Sequence, residues 1–593
     1  MCGFIGSFSQ NKIDLEKLNH CNENIVCRGP DSTKTYSEEL NGNYFSAAFN
    51  RLSIIDLSEA ADQPMTSSDN NYLILFNGEI YNHKEIRQEL LKKGYEFHTN
   101  HSDTESLLYL LIEKGEEAIK TLRGQFSFVF LDKKNQNLLL CRDRVGQKPL
   151  FFSKHNNSFS FSSNLISLSK LTYQKSINET SIYRYLQFGK TLSPDTIFEN
   201  IYEIKPGQTL SVKLSRNGFD LVFKKYWNLL DFYDNKKFDK DEFFDIFSDS
   251  VDVRTKSDVP YATFLSGGLD SSSIVKSQHE KGNKINTFSV YMGSSTYDES
   301  KYCEQVSKKF NTNHKSIEIE DSLRIENLQG MLDCLDQPFA DPSIIPTQII
   351  SREISKYFKM AISGDGGDEL LGGYLRVQKT LSNKINQTFS NLYSYYPNYL
   401  GTGNLFRSKD QDILTRYGSF LSDDNILSLL EIENDSILKT PFKLEIINDD
   451  YKNLMNFEYD LYLPQMMMYK VDRASMFNSV EVRSPFVDNK LIEYIFSHSY
   501  EYFELFNQKP LLKEYLSSDF GDAFLNRKKQ GFVFDIKNFV YTNDEFFREN
   551  IINSNKIPYI KTKKIVNLFK FKTRVNSNRI WKLYVLNYYL DQL

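Results

Sequence analysis

The sequence predicts a multidomain α/β protein, and three observations carry that expectation. At 593 residues the chain is longer than one hydrophobic core serves, so two domains are the natural division, with three allowed. From the N-terminus to about Trp227, short apolar runs alternate with polar turns, which is a strand-rich pattern. Beyond a polar stretch, Asp231 to Lys240, strands and helices alternate in the order that builds βαβ units and a parallel sheet.

In the first part, Asn71–Phe76, Gln125–Leu131, Leu138–Cys141 and Ser158–Ser162 read as strands. Lys84–Lys93 and Asp103–Lys114 carry the 3.6-residue apolar spacing of helices. Lys205-Pro-Gly207 marks a turn. In the second part, strand Tyr261–Leu265, helix Ser271–Lys281, strand Thr287–Tyr291, helix Ile344–Lys356 and strand Lys359–Ile362 follow one another. Lys379–Asp424 is rich in Asn, Ser and Tyr and reads as an irregular insertion. Lys556–Arg579 interleaves cations with apolar residues and reads as the solvated face of an amphipathic helix. The expected division is a first domain over 2–227, a linker over 228–240 and a second domain over 241–593.

The hydrophobic fraction of 40% and charged fraction of 25% are those of an ordinary globular protein. A net charge of −5 gives no electrostatic reason to expect a nucleic-acid partner. No apolar run approaches the roughly 18–20 residues of a membrane helix, and the N-terminus lacks a signal-peptide pattern. Cys2, Cys21, Cys27, Cys141, Cys303 and Cys334 have no zinc spacing, so reduced thiols and a cytoplasmic location are expected. His98 and His101 are close, but their spacing matches no metal motif.

Cys2 follows the initiator methionine in Cys-Gly-Phe-Ile-Gly6. Removal of Met1 would give Cys2 a free α-amine, whose ordinary pKa is about 7.7–8.0, beside a thiol of about 8.5. Nucleophile and base then come in one residue. Four further runs accompany it: Arg28-Gly-Pro-Asp31, Arg51-Leu-Ser-Ile-Ile55, Asn77-Gly-Glu-Ile-Tyr-Asn82 and Ser102-Asp-Thr-Glu105. Arg51 can clamp an α-carboxylate, Glu79 and Asp103 can hold an α-ammonium, and Asn77 with the Gly78 N–H can form an oxyanion hole. Taken singly, Asn77-Gly78 is also a common hairpin turn, and Arg51 could form a surface ion pair.

Phe264-Leu-Ser-Gly-Gly-Leu-Asp-Ser-Ser-Ser273 lies between a predicted strand and a predicted helix, where a Gly-rich turn presents N–H groups to phosphate. No Lys follows its glycines, so it is not a Walker-type loop. Ser363-Gly-Asp-Gly-Gly-Asp-Glu369 is a second such turn after a strand. Open parallel sheets bind ligands at that end. Asp270 and Asp368 are the candidate Mg2+ ligands.

The N-terminal runs resemble the glutaminase domain of class II glutamine amidotransferases. The later runs, with Tyr297-Asp-Glu-Ser300, Phe339-Ala-Asp-Pro-Ser343, Val471-Asp-Arg-Ala-Ser-Met476, Glu481-x-Arg-x-Pro-Phe486 and Ile580-Trp-Lys-Leu583, resemble the synthetase domain of glutamine-hydrolysing asparagine synthetases. The resemblance implies an N-terminal-nucleophile hydrolase αββα sandwich followed by an adenine-nucleotide α-hydrolase-like parallel sheet with helices. It implies that Cys2 attacks glutamine, bound by Arg51, Leu52, Ser53, Ile54, Ile55, Asn77, Gly78, Glu79 and Asp103. It also implies that ATP and its pyrophosphate lie on Leu265, Ser266, Gly267, Gly268, Asp270, Ser271, Ser272, Val290, Ser363 and Gly364. Ammonia would then travel through an internal channel to an acyl-AMP. Asp365 would orient the acceptor or take a proton, and Lys509 would stabilise charge at the adenylate unless it is a solvated surface lysine. Members of the family are often homodimers.

Two departures stand out. Cys27 occupies the place of a usual His before Arg-Gly-Pro-Asp. Pro342 stands where some members carry an Arg that binds aspartate, which leaves aspartate and a sugar uronate of surface polysaccharide synthesis both open as acceptors.

Overall fold

The computed structural model describes the whole chain except residues 1, 156, 216–217, 293–298, 320–324, 383–412, 431–443, 499–508, 528–533, 553–556 and 558–560. Tyr297, Asp298 and most of the expected 379–424 insertion therefore lie outside the described residues.

Two six-stranded antiparallel sheets are built from the first 225 residues. The first runs Tyr202–Glu203, Phe151–His155, Ser158–Ser162, Cys2–Ser9, Asn43–Arg51, Ser32–Leu40. The second runs Gly218–Lys225, Gln208–Ser215, Asn137–Arg142, Gly124–Asp132, Tyr72–Ile80, Met65–Thr66. Their inner faces share one core, in which Phe4, Phe8, Phe45 and Phe49 meet Leu73, Leu75, Val129 and Leu131. The alternate residues Ile74, Phe76 and Phe128 point outward and pack on helices His83–Lys92 and Asp103–Lys114. Both faces of the second sheet are thus buried. That explains why Leu73-Ile-Leu-Phe76 is apolar throughout rather than alternating. Helices Leu15–Glu23 and Leu165–Thr172 cover the outer face of the first sheet. The layers are therefore helix, sheet, sheet, helix.

The rest of the chain carries a five-stranded, wholly parallel sheet ordered Asn313–Ile319, Asn286–Met292, Tyr261–Phe264, Met360–Ile362, Glu481–Arg483. The chain steps from Tyr261–Phe264 to one side first and returns on the other side at Met360–Ile362. The loops after these two strands consequently flank the point where strand order reverses, the ligand-binding end of such sheets. Helices Leu269–Glu280 and Ile344–Ser355 follow the expected alternation. Thr562–Lys570 is a helix whose Ile565, Leu568 and Phe569 are buried, as an amphipathic helix requires.

The two parts are joined by buried polar contacts. Arg28 grips Asp472 through both terminal nitrogens, at 2.8 and 3.0 Å. Arg123 and Arg254 converge on Asp488, and Ser479 Oγ donates to the Cys27 carbonyl at 2.6 Å. Burial alone would raise the Asp472 carboxyl; Arg28, then Arg473 and Lys148, hold it well below the usual carboxylate range. Removing one member of a buried pair strands its partner's charge, so Asp472→Asn is expected to cost about 3–5 kcal/mol. Lys359→Ala breaks the exposed Lys359–Asp31 pair at 2.8 Å and should cost under about 1 kcal/mol. Denaturant midpoints of the two variants against the parent protein check the contrast.

Candidate active sites and the contact between them

Cys2 is the first residue of its strand and faces Arg51 across the antiparallel register. Its nitrogen, the atom that becomes the α-amine once Met1 is removed, donates to Asn77 Oδ1 at 3.0 Å. Asn77 Nδ2 is buried and, among the described residues, bonded to nothing. A buried amide donor without a partner is costly unless a ligand oxygen completes it, which suits an oxyanion hole. Asn77 and Gly78 are not a hairpin turn: they continue strand Tyr72–Ile80, opposite Ser127 and Phe126. Gly78 is required by space, because a Cβ there would lie 2.0 Å from the Gln125 carbonyl oxygen. Burial pushes the Cys2 thiol up, while the Leu52 backbone N–H and Arg51 pull it back.

Arg51 is buried, not a surface cation. Its Nη1 donates to Asp62 Oδ1 and the Ser58 carbonyl, both at 2.7 Å, and its Nη2 to the Asp56 carbonyl. A carboxylate clamp by Arg51 therefore means exchanging Asp62 for the substrate. Leu52 and Ile54 turn their side chains into the core, so they offer a ligand only backbone groups. Ser53 N donates to Asp31 Oδ2 at 2.7 Å, and the Ile55 carbonyl faces Arg51 Nη2 at 3.5 Å. Asp103 starts its helix and accepts from the Ile80 N–H at 3.1 Å. Burial raises its carboxyl to about 6 against the Ile80 and Thr104 N–H groups. Burial and then Asp103 also raise Glu79, and Arg483 opposes them. Cys27 is mostly buried, with its thiol pushed up by burial.

At the second site, Leu265 N pairs with the Phe288 carbonyl at 2.8 Å. The turn then leaves the sheet through Gly267, whose φ of +68° favours glycine. Ser266 and Ser271 brace the loop, their hydroxyls 3.1 Å apart, and Gly268 N donates to Ser266 Oγ at 3.3 Å. The hydroxyls of Ser272 and Ser273 are buried without partners among the described residues. Val290 lies on the neighbouring strand, half-buried, two residues past Phe288.

The second Gly-rich loop packs directly on the first. A Cβ at Gly364 would lie 3.1 Å from Asp270 Cβ, and one at Gly367 would lie 2.5 Å from Asp270 Oδ1. Ser363 Oγ meets Ser484 Oγ at 2.9 Å, and Asp365 is half-buried between Gly364 and Gly366. Lys509 is a buried lysine: its Nζ contacts both oxygens of Asp270 and lies 2.5 Å from Asp368 Oδ1. Burial would lower its ammonium, but the two carboxylates raise it. The two carboxylates thus converge on one cationic centre. With phosphate oxygens and water this fits Mg2+, which usually takes one or two carboxylates. No cluster of three or more His, Cys, Asp or Glu suited to a metal occurs among the described residues.

Several participants were not assigned a role from sequence. Arg527 donates to the Gly267 carbonyl at 2.6 Å and lies over the Tyr302 ring at 3.7 Å; the cation run it begins was the only signal. Arg483 binds Glu79 at 2.9 Å and Glu481 at 2.5 Å. A cavity of about 10 Å³ lies between the domains, walled by Gln125 and Lys148 on one side and Met468, Val471, Asp472 and Ser484 on the other. That volume accommodates about one water-sized molecule. Burial lowers the Lys148 ammonium to about 8 against Asp472.

A cysteine at a strand start beside an unpaired amide, joined to paired Gly-rich loops on a parallel sheet, is the arrangement a glutamine-dependent amidotransferase requires. Residues 1–227 match the family of the glutamine amidotransferase domain, and residues 242–591 match asparagine synthase. The chain belongs to the asparagine synthase family and is a carbon–nitrogen ligase of the glutamine-hydrolysing type. It is 30% identical to asparagine synthetase [glutamine-hydrolyzing] 1 of Bacillus subtilis (strain 168), over 99% of this chain and 96% of that protein. It is 29% identical to asparagine synthetase [glutamine-hydrolyzing] 3 of the same strain, over 89% and 86%. A solved structure described as the allosteric regulatory enzyme of purine biosynthesis matches 54% of this chain and 80% of its own, with 12% identity and a TM-score of 0.30. No helix among the described residues is long and apolar enough to cross a membrane.

Lys509→Met should leave Asp270 and Asp368 facing each other without a cation. A loss of about 2 kcal/mol is expected in EDTA, below the fully buried case because both carboxylates keep some solvent. Added Mg2+ should restore part of it, read as the melting temperature with and without the ion.

Proposed function

We propose that this enzyme activates a carboxylate acceptor, most simply aspartate, as an acyl-AMP and displaces AMP with ammonia taken from glutamine. The observation that carries this reading is the small cavity whose walls reach from Gln125, beside Gly78, to Ser484, which touches Ser363 of the second Gly-rich loop. Cys2 Sγ attacks the glutamine amide carbon. The developing oxyanion is received by Asn77 Nδ2 and the Gly78 N–H, and the Cys2 α-amine passes the thiol proton to the leaving ammonia. Water then releases glutamate from the thioester. The Ser266–Ser273 turn holds the pyrophosphate portion of ATP. The acceptor carboxylate attacks the α-phosphate, and pyrophosphate leaves. Ammonia crosses between the domains and adds to the acyl carbon, expelling AMP, with Asp365 placed to take the surplus proton. Asp270 and Asp368 would hold Mg2+, which when bound neutralises phosphate charge. Lys509, once drawn from the carboxylates, reaches the same charges.

A sugar uronate as acceptor is favoured by one observation. Pro342, next to the opening of helix Ile344–Ser355, supplies no cation for a second carboxylate.

ATP–pyrophosphate exchange without glutamine, comparing aspartate with a panel of uronates, tests the acceptor. Aspartate-dependent exchange supports asparagine synthesis, and exchange with a uronate alone replaces it by polysaccharide amidation. Cys2→Ala should abolish glutamine use and retain synthesis with ammonium salts; retained glutamine hydrolysis would remove Cys2 from its role. The pH dependence follows from Asp103. Its carboxyl is raised to about 6 by burial, and only the ionised form attracts an α-ammonium. Glutamine binding therefore strengthens as the pH rises through that value. Below it the KM for glutamine should climb at least about tenfold per pH unit, since at least one proton must be lost on binding. Glu79, raised for the same reason, acts in the same direction.

A further inference from the structure

We propose that Arg483, a residue of the parallel-sheet domain, is a positioning residue of the glutamine site: it holds the Glu79 carboxylate where that group receives the substrate's α-ammonium. The inference rests on the reading of Cys2, Glu79 and Asp103 as the glutaminase site and adds a member supplied by the other domain. Glu79 and Arg483 are 404 positions apart in sequence, yet Arg483 Nη2 donates to Glu79 Oε2 at 2.9 Å. Arg483 engages the Glu79 carboxylate through Oε2. Arg483 is itself fixed on every side. Its Nε binds Glu481, and its Nη1 donates to the carbonyls of Lys256 at 2.8 Å and Arg254 at 3.2 Å. The Tyr81 ring lies 5.6 Å from its guanidinium carbon. It is fully buried, so its charge acts in a weakly screening medium.

The need for such a cation is electrostatic. Glu79, Asp103 and Glu481 are three buried carboxylates in mutual electrostatic contact. Without a nearby positive charge, burial would favour their neutral forms, and a neutral Glu79 cannot attract an ammonium. Glu481 fixes Arg483 and also accepts from Gln125 Nε2 at 3.2 Å. Gln125 is the strand partner of Glu79. The two carboxylates therefore share one guanidinium and are tied to one strand. The planar guanidinium fork serves both at once, which a lysine ammonium cannot do with the same geometry.

The test is steady-state kinetics of the full-length enzyme with glutamine and, separately, with ammonium salts. Arg483→Met is expected to raise the KM for glutamine about tenfold or more, the worth of one charge-assisted contact. It should lower kcat at saturating glutamine far less and leave the KM for ammonium unshifted. Arg483→Lys should recover part of the glutamine KM. An unshifted glutamine KM, or equal losses with glutamine and ammonium, would reduce Arg483 to a structural residue. Should Arg483→Met not fold, Glu79→Gln keeps the interface side chains and must reproduce the rise in glutamine KM; no rise there overturns the proposal equally. Cys2→Ala assayed in parallel separates the two failures. Glutamine hydrolysis surviving in it removes the glutaminase reading itself, whereas its loss beside an unshifted KM in Arg483→Met removes only the Arg483 assignment.

Discussion

Arg28 is the residue on which the two halves of the molecule depend. Its Nε donates to the Cys2 carbonyl at 3.2 Å, and its two terminal nitrogens grip Asp472 on helix Tyr469–Met476. One guanidinium thus ties the strand that opens with Cys2 to the other domain. Burying that pair is costly, and the cost is offset because both charges make further hydrogen bonds, Arg28 to the Cys2 carbonyl and Asp472 from Arg473. Asp472 also accepts from Arg473 at 2.9 Å, Arg473 binds Asp336 with two nitrogens, and Tyr469 donates to Asp336 at 2.9 Å. The network spans the loop, the helix and the segment before helix Ile344–Ser355, so a shift of one member is felt by all. Burial makes it rigid, and the proposed passage between the two sites would need that rigidity.

The parallel-sheet site is organised by a different constraint, the close approach of two acidic loops. Gly364 and Gly367 let the second loop lie against Asp270, and Gly373 does the same for Asp368, since a Cβ there would fall 2.0 Å from its Oδ1. Packing carboxylates this tightly is unfavourable unless a cation sits between them. Lys509 supplies it, in a backbone conformation with φ of +53° that non-glycine residues rarely adopt. The local strain and the charge pairing belong together, because the unusual turn delivers the ammonium to the point where the acidic side chains meet.

The family and the fold were legible in the sequence, and the candidate site residues could be named there, because they sit in short runs. Cys2, Asn77-Gly78, the Ser266–Ser273 turn and the Ser363–Glu369 turn each combine a reactive group with the glycines that make room for it. Periodicity likewise located the helix Asp103–Lys114 and the strand Ser158–Ser162 to the residue. What local pattern could not show was partnership over long separations. Asn77-Gly78 carries a hairpin signal, but pairing with Gly124–Asp132 overrides it and keeps the pair extended. Arg51 was read for its charge alone, and the loop that surrounds it, ending at Asp62, became visible only in three dimensions. Arg483 lay within a recognised motif, yet nothing in a single sequence says that it meets Glu79.

These contacts also explain why the two chemistries share one chain. Ammonia released into water is protonated and loses its nucleophilic lone pair, so the proposed transfer has to occur out of solvent. The wall of the interdomain cavity carries the Lys148 ammonium 3.8 Å from Asp472. A small neutral molecule passes such a wall with little electrostatic cost, whereas a second cation would have to compete with Lys148 and Arg28 for the same carboxylate. In the proposed transfer, the same buried charges that fasten the domains would favour ammonia over ammonium between them. On that reading fastening and selection would be one property of the interface, because loosening the Arg28–Asp472 pair would admit water between the domains.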